Sequence, residues 1–205
     1  MEPFVRIASI AAPLPERDID TDIIFPARYL LLTSKTGLGQ YAFFERRYED
    51  GGKTEKADFP LNQPVFRGAR LIVAGSNFGC GSSREHAVWA LADLGVRCVI
   101  ADSFGDIFYS NCFKNGLLPV VVTPDQCADL TVRAAAGERL EVDLERQEVR
   151  TADGGVIAFP VDGWRREALL NGWDEIATIL RTRGQAIAAF EAAQRTRFAW
   201  LHADT

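Results

Sequence analysis

The stretch GSNFGCGSSREH, residues 75–86, concentrates side chains that could do chemistry. Gly75, Gly79 and Gly81 would let backbone N–H groups approach an anion closely. Ser82 and Ser83 add hydroxyls, and Arg84 adds a planar fork suited to a carboxylate or phosphate. Glu85 and His86 follow on the first turn of an expected helix. The glycine order fails the dinucleotide fingerprint G-x-G-x-x-G, and no lysine precedes Ser82 as a Walker loop requires. No G-x-S-x-G is present for a nucleophile elbow. What those motifs share is strand, small-residue loop and helix N-terminus, a geometry that presents free N–H groups and partial positive charge. The loop therefore reads as a site for a small molecule bearing a carboxylate or phosphate. The competing reading is tight packing with a serine cap, in which Gly79, Gly81, Glu85 and His86 only support the turn. Cys80 reads as a small packed residue.

A second candidate is DIDTD, residues 18–22. Counted as an EF-hand from Asp18, position six is Ile23 where glycine is needed and position twelve is Tyr29 where glutamate is needed, so calcium is rejected. Either the aspartates are solvated in an exposed turn, or Thr21 and Asp22 face the same pocket as Ser82 and Arg84.

The elements that must position these loops follow from periodicity. Strands are expected at 4–10, 70–75, 96–101 and 118–122. REHAVWALADLG places Ala87, Val88, Leu91 and Leu94 on one helical face and ends on Gly95. Ser103 and Asp106 suggest a capping box for a helix over 104–112. Residues 70–122 thus read as β-α-β-α-β, a parallel unit. Short strands at 139–144, 147–151 and 156–159, the last two joined at Asp153-Gly154-Gly155, read as an antiparallel meander. Residues 33–64 are expected to be irregular, with one short helix in YAFFERRY. A helical tail is expected to break at Asn171-Gly172 and at Gly184. No linker or repeat stands out, so the chain reads as one mixed α/β domain.

The chain has 205 residues, 47% apolar and 25% charged, with net charge −5. This balance is ordinary for a soluble globular protein and disfavours a nucleic-acid partner. No apolar run reaches membrane-spanning length, and no export signal is expected at the N-terminus. Cys80, Cys98, Cys112 and Cys127 contain no C-x-x-C and read as reduced cytoplasmic thiols, forming neither a disulfide framework nor a metal site.

NFGCGSSREHAVWAL, with DIDTDIIFPARYL upstream and SFGDIFYSNCFKNGLLPV downstream, resembles the isopropylmalate dehydratase small subunits of the aconitase superfamily. The resemblance extends over nearly the whole chain, through VDLERQEV and FPVDGWRREALLNGWDEI. It implies a swivelling β/β/α domain over 1–205, of mixed parallel and antiparallel strands. An irregular substrate and partner loop would span about 29–64 and a helical tail about 164–201. It implies a hydro-lyase of leucine biosynthesis, active only with a large subunit that carries a [4Fe–4S] cluster, and no cofactor in this chain. The substrate would be a small dicarboxylate. By the same resemblance Ser82 is the catalytic base, Ser83 and Arg84 bind substrate carboxylate, and Thr21 and Asp22 line the pocket, Asp22 organising the catalytic groups. The loop after Tyr29 reads Leu30-Leu31-Leu32 with no arginine from 29 to 45. Leu31 and Leu32 would suit an isopropyl group, and an extra carboxylate there would be left unpaired. Lys35 is the exception, since an inward orientation would admit a more acidic substrate. The alternatives are a related hydro-lyase on another substituted malate, or a non-catalytic anion-binding domain. The loop over 33–50 is expected to be mobile in the isolated chain, because it must meet both substrate and large subunit.

Overall fold

The computed structural model describes residues 1–201. In chain order the elements are β1 (Arg6–Leu14), α1 (Thr21–Ile24), α2 (Phe44–Arg47), β2 (Tyr48–Glu49), β3 (Thr54–Glu55), β4 (Leu71–Ala74) and α3 (Glu85–Asp93). They continue as β5 (Cys98–Ala101), α4 (Asp106–Lys114), β6 (Leu118–Val121), α5 (Pro124–Ala135) and β7 (Arg139–Asp143). The last are β8 (Glu148–Arg150), β9 (Val156–Ala158), α6 (Gly163–Asn171) and α7 (Glu175–Arg197). The chain divides after Gly172 into two compact units.

The first unit is an α/β domain built on a seven-stranded sheet of order β6-β5-β4-β1-β7-β8-β9. β1 joins its two halves. Its first residues, Arg6 to Ile10, pair antiparallel with β7, and its last, Ala11 to Leu14, pair parallel with β4. The parallel half is buried on both faces, as strands covered by helices must be. Ile72, Ala74, Val99 and Ala101 enter one apolar cluster, whereas Leu71, Val73, Cys98 and Ile100 enter the other. The antiparallel half buries one face: Leu140 and Val142 are inside, while Arg139 is exposed and Glu141 half-buried. That difference explains why the first strands read as continuous apolar runs and the last as alternations.

Two expectations are corrected, and one helix is found where none was expected. Ser103 does not cap α4, which starts at Asp106 after an N-cap Gly105 that makes no side-chain cap bond. Phe78 and Phe104 form a β-bridge, which keeps the chain extended past Ser103. The Ser103 hydroxyl instead donates to Asp102 (2.8 Å) and accepts from the Asn77 N–H (2.8 Å). Residues 124–135 are a helix that the sequence reading left unassigned, although Thr123 and Gln126 form a reciprocal capping box around Pro124. The other correction is that α7 runs through Gly184. One interior glycine costs about 1 kcal/mol against alanine, too little to break a helix of 23 residues. Asn171-Gly172 is a real stop: Gly172 ends α6 at φ 68°.

The excursion between α1 and β4 is irregular but packed. Leu38, Ala42, Phe43 and Phe44 are buried, whereas 31–37 and 49–55 are exposed. Buried Arg47 organises the segment, donating to the carbonyls of Gly39 (3.0 Å) and Ala42 (3.4 Å) and to Asn62 Oδ1 (3.3 Å). Within the segment 33–50, expected to be mobile, 33–37 and 49–50 are exposed and most of the rest is buried or half-buried.

Candidate active site

β1 and β4 are parallel neighbours, so the loops leaving their C-terminal ends lie side by side, where ligands of open α/β sheets bind. The two loops are laced together. Asp18 N–H donates to the Ser76 carbonyl (2.9 Å), Gly79 N–H to Ile19 (2.7 Å) and Thr21 N–H to Cys80 (2.9 Å). Gly79 is required by sterics: φ is +73°, and an added Cβ would stand 2.2 Å from the Phe108 ring. Gly81 has φ +91° but open space, its nearest neighbour being Asp20 Cβ at 3.4 Å. The Asp20 side chain caps α1 by accepting from Ile23 N–H (2.7 Å).

This lacing brings together two pairs that lie about sixty residues apart in sequence. The hydroxyl of Thr21, 1% exposed, lies 3.2 Å from Ser82 Oγ and 3.2 Å from the Ser82 carbonyl. Asp22 forms an ion pair with Arg84 through Nη1. A guanidinium has five N–H donors, and the contact with Asp22 does not use the Nε and Nη2 edge of Arg84. Ser82 and Ser83 are exposed, and α3 begins at Glu85, with its first-turn N–H groups beside them. DIDTD thus has features of both readings: Asp18 and Asp22 are exposed, and Thr21 and Asp22 contact Ser82 and Arg84.

Next to Ser82 is a cavity of about 230 Å³, walled by Gly79 to Ser82 and by Gly105, Asp106 and Ile107. The α4 N-terminus was not singled out in the sequence. The signal was available, since β5 is parallel to β4 and its following loop must emerge at the same edge. Burial, and then Asp18 and Asp20, push the Cys80 thiol up, which keeps it protonated at neutral pH and unsuited to be a nucleophile.

Leu31 and Leu32 are not packed as a pocket wall. The two residues are 93% and 38% exposed. What ties this loop to the site is backbone: the Leu32 carbonyl accepts from His86 Nε2 at 3.1 Å, and the His86 ring stacks on Phe25. Lys35 lies with its ammonium 2.9 Å from Asn115 Oδ1 and 4.9 Å from the centre of the Trp89 ring. Glu85 accepts from Asn115 Nδ2 (2.8 Å) and Trp89 Nε1 (3.2 Å).

Comparison with known proteins places this geometry. The Aconitase C-terminal domain family matches residues 1–125, and the LeuD_N family matches residues 130–163. The 3-isopropylmalate dehydratase small subunit of Afipia carboxidovorans is 51% identical over 98% of this chain and 100% of its own length. That of Mesorhizobium japonicum is 50% identical over 98% and 100%. The chain belongs to the 3-isopropylmalate dehydratase small-subunit family. A crystal structure of 3-isopropylmalate dehydratase from Methanocaldococcus jannaschii covers 90% of this chain and 98% of its own, with 30% identity and TM-score 0.65. The dehydratase small-subunit fold is thus the mixed, partly parallel α/β sheet described above. An iron–sulfur cluster does not fit the thiols of this family member. Cys98 and Cys112 are fully buried in opposite apolar clusters, and Cys127 Sγ donates to the Ala74 carbonyl at 3.2 Å. No group of three or more His, Cys, Asp or Glu side chains among the described residues could hold a metal ion. No helix among them is long and apolar enough to cross a membrane.

Proposed function

We propose that this chain supplies the base and the carboxylate-binding wall of a hydro-lyase that interconverts 2-isopropylmalate and 3-isopropylmalate through isopropylmaleate, in leucine biosynthesis. The large subunit completes the site and holds the iron–sulfur cluster that the family resemblance implies. The observation that carries the reading is the Thr21–Ser82 hydroxyl pair beside the Asp22–Arg84 ion pair, at an open edge of the sheet.

Dehydration removes a proton from one substrate carbon and hydroxide from its neighbour, leaving a double bond. Rehydration in the opposite sense moves the hydroxyl. Ser82 takes and returns the proton. A serine is a poor base unless its alkoxide is stabilised. Thr21 has one hydroxyl proton and two acceptors at 3.2 Å, the Ser82 carbonyl and Ser82 Oγ. When Ser82 is neutral, Thr21 can donate to the carbonyl and accept from Oγ. When Ser82 is an alkoxide, Thr21 turns its proton onto Oγ. The α3 N-terminus and the Arg84 charge favour the same state. Arg84, held by Asp22 through Nη1, presents its remaining edge to a substrate carboxylate, and the exposed Ser83 hydroxyl adds a donor.

The test is reconstitution with a cluster-loaded large subunit, following isopropylmaleate absorbance from 3-isopropylmalate. Wild type is expected to turn over, and Ser82→Ala to lose about a thousandfold in kcat with complex formation retained. Near-wild-type activity of Ser82→Ala would place the base elsewhere. Turnover of a different malate but not isopropylmalate would keep the reaction class and overturn the substrate.

A further inference from the structure

We propose that Asn115, acting through Lys35, is a positioning residue that sets the substrate-side-chain loop 30–36 at a fixed place beside the serine loop. This rests on the reading above, in which that loop meets the apolar group of the substrate.

The Asn115 amide is saturated. Its Oδ1 accepts from Lys35 Nζ (2.9 Å) and from Trp89 Nε1 (3.0 Å), whose single proton is shared with Glu85 Oε1 (3.2 Å). Its Nδ2 donates to Glu85 Oε1 (2.8 Å) and to the Asn111 carbonyl (2.9 Å). A primary amide offers two acceptor sites and two donors, and all four are used. The partners fix which way the amide faces, because two donors meet the oxygen and two acceptors meet the nitrogen. A fully satisfied network of this kind has one arrangement.

What it joins matters more than its strength. Asn115 follows α4 as its C-cap. Glu85 and Trp89 lie on α3, directly after Arg84. Lys35 lies on the loop, and its ammonium also faces the Trp89 ring. A second tie, from His86 to the Leu32 carbonyl, reaches the same loop three residues earlier. On either side of Lys35, Ser34 and Thr36 bond each other at 2.9 Å and close a turn. Leu31 stays 93% exposed on a backbone pinned to the helix that carries the catalytic serine loop at its start. A single exposed leucine is ordinary on a protein surface, and what this one offers, on the reading above, is apolar area that a substrate isopropyl group would bury on binding. Lys35 thereby serves as an anchor of the loop, and its ammonium is engaged before any substrate arrives.

The experiment uses Lys35→Met, an exposed position, Asn115→Leu, which keeps the bulk, and Lys35→Arg as the conservative variant. Amide exchange over 30–37 is read in the full chain, and kinetics in the reconstituted complex. Exchange over 30–37 is expected to rise about tenfold in Lys35→Met and Asn115→Leu, to stay near wild type in Lys35→Arg, and to be unchanged in β4 and β5. If the productive loop position is then populated about a tenth of the time, KM for 3-isopropylmalate rises about tenfold with kcat little changed. The preference for isopropylmalate over a methyl-substituted malate falls with it, and Lys35→Arg restores it. Unchanged exchange in Lys35→Met would overturn the clamp. Raised exchange with unchanged substrate preference would overturn the positioning role. A wild-type complex that turns over neither malate would instead overturn the functional reading, while the exchange data still decide the clamp.

Discussion

At the scale of single residues, the proposed chemistry turns on one proton and the loop that carries it on two glycines. Thr21→Val keeps the shape and removes the hydroxyl that faces both Ser82 oxygens. Losing one donor to a developing oxyanion costs roughly 2.7–4 kcal/mol, so kcat should fall about a hundredfold or more. KM should move little, and Thr21→Ser should recover most of the rate. Equal losses in Val and Ser variants would make Thr21 a packing residue. Gly79 and Gly81 separate sterics from conformation. Gly79→Ala meets both a positive φ and the Phe108 ring at 2.2 Å, whereas Gly81→Ala meets only the positive φ. Gly79→Ala should destabilise by about 2–4 kcal/mol and Gly81→Ala by about 1 kcal/mol, measured by urea unfolding. Similar costs at the two positions would show that the Phe108 ring gives way.

At the scale of elements, what was legible in the sequence was what rests on local signals. The β-α-β-α-β unit followed from buried runs such as Leu71–Ala74 and from the Ala87, Val88 and Leu91 face, because strands buried on both sides carry no competing polar face. The strand, small-residue loop and helix start of the serine loop were legible for the same reason, whereas small residues alone left binding and tight packing both open. The start of α4 was misplaced because Ser103 is claimed by Asp102 and Asn77, a competition set by neighbouring strands. The Lys35–Asn115 contact spans 80 residues and could not be inferred from spacing. The role of Gly184 was misjudged because a single glycine weighs little inside a long helix. That judgement has a direct test. Gly184 has nothing within 4 Å of an added Cβ, so Gly184→Ala should stabilise α7 by about 0.5–1 kcal/mol. Far-ultraviolet circular dichroism should show equal or greater helicity and later melting. A loss of helicity would mean that the chain bends at Gly184.

At the scale of the first unit, β1 decides whether the two halves of the sheet are one folding unit. It is the common strand of the parallel and antiparallel halves, and its side chains alternate between the clusters: Ala12 and Leu14 enter one, Ile7 and Ala11 the other. Neither cluster can lose β1 without exposing the other. Two buried thiols report on the two sides, Cys112 from the cluster that packs against α3, and Cys98 from the cluster that includes Leu130 of α5 and Leu169 of α6. Burial pushes both thiols well up, so each stays unreactive until its cluster opens. Thiol labelling across a urea series, read at each cysteine by mass spectrometry, should give midpoints for Cys98 and Cys112 that agree within about 0.2 M. Cys80, half-exposed in the serine loop, should label at lower urea, because loops at ligand sites open locally. A midpoint for Cys98 lower than that of Cys112 by about 0.5 M or more would show that the face covered by α5 and α6 melts first. The two faces of the sheet would then open separately, and the lacing between the DIDTD and serine loops would have to survive on a sheet covered by its α3 face alone.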